Sequence, residues 1–226
     1  MKDDYFSRPE VSNSDLSWLK EQLLKIEEPP DPTEAFKFGN LIDCMITEPE
    51  KVDYFKRTCD GQDYTQDDFE TAQEMKRAFF RDPLCEQLVD GAEFQKVMTK
   101  QNEPFIYGHV IFRLSVRCKW DFWLPSYKWG GDIKSTTATT LRQFEEAIDF
   151  FDYDRQRAWY MNIAGSRQDI LIGISKKNFK VFKVPIRRGD RLHQKGEEKY
   201  HELVYEWFIR FGDMKSFEVK KEVVNA

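Results

Sequence analysis

A strand-like run over residues 107–124 constrains the fold most, because a second strand-like segment over 131–135 follows it after a short break. The first run is rich in Val, Ile, Phe and Trp, which favour strands. The Trp-Gly-Gly sequence at 129–131 predicts a bend between the two segments. We therefore expect the two strands to meet, with the residues near their ends side by side.

Two carboxylates and a lysine lie on these strands. Asp132 and Lys134 are two residues apart, so they share a face while Ile133 packs into the core. Asp121 lies on the preceding strand. Carboxylates bind hard cations such as Mg²⁺, which polarise a phosphoryl group and lower the pKa of a bound water. The pattern predicts metal-dependent cleavage of a phosphodiester, with a surface strand pair as the alternative.

Further segments occur in a fixed order around this pair, and together they resemble a known family. The order is similar to that of the PD-(D/E)xK nuclease superfamily. Within it, the chain resembles the RecE-type (exodeoxyribonuclease VIII) domain of phages and prophages, which is related to RecB-type nucleases and lambda exonuclease. The resemblance covers residues 11–165, and the matching segments are Val11 to Leu16, Phe38 to Asp43, Glu48 to Glu50, Gly91 to Phe94 and Gln156 to Tyr160.

The resemblance implies an α/β fold with a restriction-endonuclease-like core, a central mixed sheet flanked by helices and a helical N-terminal region. It also implies the roles of the site residues. The implied catalytic residues are Asp121, Asp132, Lys134 and Glu93, and the implied metal ligands are Asp121, Asp132, the carbonyl of Ile133, Glu93 and Asp43. The implied DNA-binding or site-supporting residues are Gln156, Tyr160, Ser135 and Thr136.

One position departs from the family. Asp43 occupies the place of a helix-motif histidine that often contacts the metal in relatives. An aspartate supplies an oxygen ligand, which would favour hard Mg²⁺ over softer ions. Two other interpretations stay open, namely a weakened site and a helix residue that is satisfied by a neighbouring base.

Composition sets further limits. The chain has 226 residues and 40% hydrophobic content, enough for a single domain over 1–226 with a core over 11–211 and a mobile tail over 212–226. Its four cysteines lack a Cys-x-x-Cys spacing, so we expect reduced thiols and not metal ligands. The sequence shows neither a signal peptide nor a membrane-length apolar run, so we expect a cytoplasmic protein without a membrane partner.

The net charge of −5 counts mildly against a nonspecific nucleic-acid binder. A basic stretch over 175–191, together with Arg113, Arg117 and Lys119, could nevertheless line a groove. The alternative is that the lysines over 176–183 form the solvent-exposed face of an edge strand.

Periodicity and breaker residues predict the order of the elements. Helices are expected at 14–26, 33–47, 67–80, from 83, and at 140–150, 154–164 and 197–211. Strands are expected at 92–99, 106–114, 115–124, 131–135, 169–176 and 180–184.

The expected function is that of a DNA exonuclease that depends on Mg²⁺, with Mn²⁺ as a substitute, and acts on double-stranded ends in phage-type recombination. The resemblance further implies a single-strand-annealing partner and a homo-oligomer. Two alternatives stay open: a catalytically decayed nuclease fold that binds DNA or supports assembly, and an endonuclease of the same superfamily.

Overall fold

A mixed β-sheet lies between two layers of helices in the computed structural model, which describes residues 4–24, 33–213 and 218–219. The helices are α1 (Asn13–Leu24), α2 (Thr33–Thr47), α3 (Gln66–Arg81), α4 (Pro83–Val89), α5 (Leu141–Phe150), α6 (Tyr153–Ala164) and α7 (Arg191–Phe211). The strands are β1 (Val52–Asp53), β2 (Thr58–Cys59), β3 (Gln62–Asp63), β4 (Glu93–Tyr107), β5 (Val110–Leu124), β6 (Trp129–Thr136), β7 (Gln168–Ser175), β8 (Val181–Arg187) and β9 (Glu218–Val219).

The main sheet has the spatial order β4-β5-β6-β7-β8, and β9 pairs with the first residues of β5. The β6–β7 pair is parallel, whereas β4–β5, β5–β6 and β7–β8 are antiparallel. The small strands β1, β2 and β3 form a separate antiparallel sheet. This mixed sheet confirms the predicted fold class.

Each face of the main sheet buries its own hydrophobic core. On one face, α1, α5, α6 and α7 cover a core that includes Trp120 and Trp159. On the other face, α2, α3 and α4 cover a core that includes Phe122 and Ile133. Because β5 and β6 lie between the two helical layers, residues near their adjoining ends can meet side chains from both layers.

Polar side chains define several helix starts, as capping chemistry predicts. Thr65 accepts a hydrogen bond from the N–H of Asp68 at the start of α3, and Thr140 does the same for Gln143 at α5. Asp82 caps α4, whose first residue is Pro83. These caps explain why the predicted helix boundaries in this part of the chain are close to the observed ones.

The predicted strands 106–114 and 115–124 are wrong in their division. The structure has one long hairpin, in which the turn at Gly108 and His109 connects β4 with β5. Gly108 has a positive φ of 56°, which a glycine adopts without a steric penalty. The strong β-propensity on both sides of Gly108 concealed this turn.

The expected bend at 129–131 is also wrong, because these residues are the first part of β6 and the turn precedes them. The two glycines among them allow β6 and β5 to approach each other closely. A Cβ on Gly130 would lie 2.3 Å from the carbonyl oxygen of Phe122, and one on Gly131 would lie 2.4 Å from the Phe122 ring. Two glycines thus allow β6 to pack tightly against β5.

Helix α7 begins at Arg191 and not at 197, with Asp190 as its cap. Gly196 lies inside the helix and allows close packing on α6, since a Cβ there would be 2.2 Å from the carbonyl oxygen of Asp154. Residues 25 and 26 of the first predicted helix lie outside the described residues. The same holds for the predicted tail, except for 212, 213, 218 and 219.

The basic stretch lies along β8 and the turns on either side of it. This strand is at the edge of the sheet and alternates between buried and more exposed residues, as the edge-strand interpretation predicts. Lys183 is ion-paired with Asp82, and the ammonium of Lys176 lies 3.7 Å from the centre of the Phe38 ring. Arg117 is buried and donates a hydrogen bond to the carbonyl oxygen of Arg8.

Within the part of the chain that the structure describes, every helix is too short or too polar to cross a membrane.

Candidate active site

The regular alternation of side chains along β5 is interrupted at Asp121. Trp120 and Phe122 would share a face in an unbroken strand, but they belong to opposite cores. On the paired strand, Gln95 lies between the pairs Phe94–Phe122 and Lys96–Trp120 and has a positive φ of 50°. Such irregularities redirect side chains and are common beside active sites.

Asp121 reaches across to β6 from this irregular position. Its Oδ2 accepts a hydrogen bond from the backbone N–H of Ile133, at 2.7 Å. Burial raises the pKa of Asp121 well above its ordinary value, and the neighbouring charges of Asp132 and Asp43 raise it further. The two strand ends therefore meet as the sequence predicts, and they bring three carboxylates within electrostatic reach of each other.

Asp132 is buried and is held by two cations. Its Oδ1 accepts a hydrogen bond from Arg157, at 3.1 Å, and its Oδ2 lies 2.6 Å from the ammonium of Lys134. The same guanidinium donates two hydrogen bonds to Oδ2 of Asp169, at 2.8 and 3.0 Å. Arg157 is fully buried, so Asp132, Arg157 and Asp169 form a closed ionic cluster behind the strand ends.

Two aromatic rings enclose the guanidinium of Arg157. Its central carbon lies 4.6 Å from the centre of the Trp120 ring and 4.5 Å from that of Tyr160. Guanidinium groups stack favourably on aromatic faces, which partly offsets the cost of burying the charge. The rings and the two carboxylates leave the guanidinium little freedom to move.

Asp43 approaches the site from α2, on the opposite helical layer. Its Oδ2 accepts a hydrogen bond from the side-chain amide of Gln95, at 3.0 Å, and its Oδ1 accepts one from the Thr47 hydroxyl, at 3.3 Å. Burial and the charge of Asp132 raise the pKa of Asp43 to about 6. The partners of this carboxylate are thus an amide and a hydroxyl, and not the neighbouring base that one interpretation expected.

Lys134 is half-buried and faces the carboxylates. Burial alone would lower the pKa of Lys134, but Asp132 and Asp121 outweigh that effect and raise it. The ammonium also lies 5.1 Å from the centre of the Tyr153 ring. Lys134 is therefore a fixed positive charge between the carboxylates and the start of α6.

Glu93 is not brought into this group. Its side chain is exposed and lies 2.5 Å from the ammonium of Lys96. Gln95, two residues further along β4, contacts Asp43 instead. The metal-binding role of Glu93 stays a prediction, since a ligand would first have to leave Lys96.

The supporting residues lie around the group in different ways. Tyr160 is buried, with its ring 5.6 Å from that of Trp120, and so belongs to the wall behind Asp132. Gln156 is half-buried, and its side chain forms no hydrogen bond within the described residues.

Ser135 and Thr136 end the same strand beyond Lys134. A Cβ on Gly39 would lie 3.9 Å from the Ser135 hydroxyl, so this side chain faces α2. The Thr136 hydroxyl accepts a hydrogen bond from the N–H of Ala138, at 3.1 Å, and thereby stabilises the turn after β6.

A hard divalent ion fits part of the predicted ligand set. In residues 4–24, 33–213 and 218–219, no three His, Cys, Asp or Glu side chains are arranged as ready ligands. Asp132 is held by Arg157 and Lys134, and its role as a metal ligand stays a prediction. Asp43 and Asp121 accept hydrogen bonds from neutral groups, and Mg²⁺ requires only one or two protein carboxylates. The chemistry of this pair, with the carbonyl of Ile133, suits such an ion.

Three residues of the site were not predicted from the sequence: Arg157, Asp169 and Gln95. Arg157 stands in an apolar helix segment beside Ala158 and Trp159, and a cation in such a place requires buried carboxylates. The same argument could have identified Asp169, at the start of a predicted strand, as a partner. No comparable signal marks Gln95, because its contact depends on the interruption of the β4–β5 alternation.

The fold and the paired strand ends define a nuclease-like class, and comparison with known proteins agrees. The model of a family described as "PDDEXK-like domain of unknown function (DUF3799)" matches residues 17–182, which is more than half of the chain. The chain therefore belongs to this PDDEXK-like family, and the predicted PD-(D/E)xK superfamily is confirmed. A search of the curated proteins finds no match.

Solved structures include similar folds. A protein described as "Putative exonuclease" from Eubacterium rectale has a TM-score of 0.55 and 19% identity, over 84% of this chain and 71% of that chain. A phage related exonuclease from Haemophilus somnus 129PT has a TM-score of 0.37 and 16% identity, over 87% of this chain and 96% of that one. The first similarity confirms the shared fold and extends no further.

Proposed function

We propose that this chain is a DNA exonuclease that depends on Mg²⁺, or on Mn²⁺ in its place, and acts on double-stranded ends. The observation that carries the proposal is the convergence of Asp43 and Asp121 beside the Asp132–Lys134 ion pair, within a PDDEXK-like fold. Carboxylates without matching cations repel a phosphate, whereas with a divalent ion the same carboxylates attract one.

Each residue has a distinct role in this proposal. Asp43 and Asp121, with the carbonyl of Ile133, would hold the metal, which supplies Lewis-acid polarisation and an activated water when bound. Lys134 orients the attacking water or neutralises developing charge, because its ammonium is held beside Asp132 and within electrostatic reach of Asp43 and Asp121. Asp132 keeps that ammonium charged and in place.

The finer parts of the proposal rest on the resemblance to RecE-type nucleases. These parts are the preference for double-stranded ends, phage-type recombination, a single-strand-annealing partner and a homo-oligomer. A cytoplasmic location also stays a prediction. The descriptions of the two similar structures as exonucleases support the exonuclease class, although they concern those proteins.

One observation favours a second candidate, a noncatalytic DNA-binding or assembly protein. Both carboxylate oxygens of Asp132 are engaged by cations, and Glu93 is paired with Lys96 outside the group. A decayed site would keep such internal ion pairs while losing the metal. An endonuclease of the same superfamily is a further alternative, which differs in its ability to cut closed circles.

The test is digestion of linear and covalently closed duplex DNA with Mg²⁺, with Mn²⁺ and with EDTA. We expect metal-dependent loss of the linear form only. Lys134→Ala should lower the rate at least about 100-fold, the size of losses seen when one preorganised electrostatic group is removed. Lys177→Ala, at an exposed lysine in the turn after β7, is the matched control and should digest like the wild type.

Two results would change the conclusion. Cutting of the closed circle would indicate an endonuclease. A protein that shifts DNA on a gel but digests neither form would be a binding or assembly protein.

A further inference from the structure

Three aromatic side chains form a continuous row from the site to the surface. The Tyr153 ring lies 5.1 Å from the ammonium of Lys134, and the Phe151 ring stacks on Tyr153 with a centroid distance of 5.6 Å and an angle of 23°. The Phe150 ring meets Phe151 edge-on, at 4.9 Å. We call Phe150, Phe151 and Tyr153 the aromatic ladder.

The outer part of the aromatic ladder is open to solvent. Phe150 is 81% exposed and Phe151 is 58% exposed. Isolated exposed aromatics are common on proteins, but adjoining ones that lead to an ionic site call for an explanation. Core packing does not supply it, because α5 already buries Phe144 and Ile148 on its inner face.

The residue between the two inner rings is fixed by ion pairs. Asp152, between Phe151 and Tyr153, has a positive φ of 55°, which aspartate adopts more readily than most residues with a side chain. Its carboxylate holds Lys20 of α1 at 2.5 Å and Lys199 of α7 at 3.0 Å. These ion pairs hold Asp152, and with it the backbone between the two rings, against α1 and α7.

We propose that the aromatic ladder is a base-stacking subsite for unpaired nucleotides at the end of the strand being cut. This inference rests on the proposed function. A phosphate beside Lys134 places its attached base next to Tyr153, and the following bases can stack on Phe151 and Phe150. Aromatic rings bind bases through their faces, so such a subsite accepts any sequence.

The charges around the aromatic ladder distinguish stacking from simple phosphate binding. Asp149 is ion-paired with Lys195 at 2.6 Å and with Lys199 at 3.0 Å. Hydrogen bonds from these lysines hold the pKa of Asp149 down, at about 2, so the carboxylate stays charged. Lys195 and Lys199 are thus already paired with an acid and offer little free charge to a phosphate. A ring carries no charge, so its loss should weaken binding by a factor that depends little on salt, unlike the loss of a phosphate contact.

The experiment measures binding of a labelled 12-nucleotide single strand with Ca²⁺ in place of Mg²⁺, which keeps a hard divalent charge beside the carboxylates, and a gel checks that the strand stays intact. Matching strands carry abasic nucleotides at the 5′ end or at the 3′ end. Phe151→Ala should weaken binding of the normal strand about 5- to 140-fold, the range for loss of one base–aromatic stack. It should leave unchanged the binding of the strand that is abasic at the end that enters the site.

Two further variants complete the design. Phe151→Trp should restore binding because it keeps a stacking face, and Phe150→Ala provides a second position if Phe151→Ala does not fold. Phe211→Ala is the matched control, since Phe211 is 54% exposed at the end of α7. This end of α7 is far from the site. Phe208, on the same helix, packs on Phe112, and Phe112 is nine residues from Asp121, or about 30 Å along β5.

The outcomes separate the two proposals. If the wild type neither binds nor digests DNA, the proposed function fails, and the aromatic ladder proposal fails with it. If the wild type digests DNA but Phe151→Ala matches it in binding and in the KM of digestion, only the aromatic ladder proposal is overturned. Equal weakening on normal and abasic strands would also overturn it, because the ring would then not act through a base.

Discussion

The inner and outer sides of the candidate site are stabilised in different ways. On the inner side, Asp132 shares the buried guanidinium of Arg157 with Asp169 and also pairs with Lys134. On the outer side, Asp43 accepts hydrogen bonds from Gln95 and Thr47, and Asp121 accepts one from a backbone N–H. The inner carboxylates thus have cationic partners within the fold, whereas the outer pair accepts its hydrogen bonds from neutral groups.

This difference assigns separate tasks to the two sides. An inner cluster with its own cations contributes a fixed geometry whether or not metal is bound. Burial raises the pKa of the inner Asp169 as well as those of Asp43 and Asp121, but only the outer pair has neutral hydrogen-bond partners, so it gains most from an added cation. We therefore expect substitutions on the inner side to affect stability and those on the outer side to affect metal binding.

The largest effect is expected for Arg157→Leu. This change leaves Asp132 and Asp169 buried without the cation that they share, and breaking a buried pair from one side costs about 3–5 kcal/mol. For a chain of this length, such a loss lowers Tm by roughly 6–20 °C. Denaturant unfolding in EDTA measures the change in the free energy of unfolding without any contribution from metal.

Arg142→Leu is the matched control for this change. Arg142 pairs with Glu146 on the exposed face of α5, where an ion pair contributes about 0–1 kcal/mol. If both leucine variants lost the same free energy of unfolding, the inner cluster would stabilise the fold no more than an exposed ion pair does.

The next effect concerns metal-induced stabilisation and the change Asp121→Asn. The wild type should gain about 2.7 kcal/mol when the free metal concentration is 100 times its dissociation constant. Asp121→Asn removes one outer charge but keeps an oxygen for the N–H of Ile133, so its stability in EDTA should equal or exceed that of the wild type. Thermal unfolding with Mg²⁺, Mn²⁺ and EDTA should show that its metal-induced shift is lost.

A variant that kept the full metal-induced shift would place the ion elsewhere. Lower stability of Asp121→Asn in EDTA would show that this carboxylate is already neutralised within the fold, which would remove the distinction between the two sides.

The sequence predicted the convergence of the strand ends well, and the physical reasons are local. The period of two along β6 puts Asp132 and Lys134 on one face, and their ion pair confirms that placement. The helix at Thr33–Thr47 was predicted with its observed bounds, which places Asp43 beside the sheet. Motif order supplied the superfamily, because the segments recur in a fixed arrangement.

The contacts that distinguish the two sides were not predictable by the same means. Arg157 meets Asp132 and Asp169 across 25 and 12 residues of sequence, so only the tertiary fold brings them together. The choice between Glu93 and Gln95 depends on the interruption of alternation at Asp121. Glu93 was predicted from the family resemblance, whereas residues 93 and 95 share a face in an unbroken strand, so no motif or period marked the amide of Gln95 as the partner of Asp43.

The smallest effect is expected for Glu93→Gln, which tests the boundary of the outer side. Glu93 is exposed and pairs with Lys96, so the substitution should cost less than about 1 kcal/mol of stability. Digestion rates with Mg²⁺ should stay within about threefold of the wild type, since loss of a preorganised electrostatic group costs roughly 100-fold or more. Lys96→Gln removes the same ion pair from its other end and should change stability equally little. If Glu93→Gln instead lost as much activity as Lys134→Ala while Lys96→Gln did not, Glu93 would have to leave Lys96 and join Asp43 and Asp121 around the metal, as the sequence motif implies.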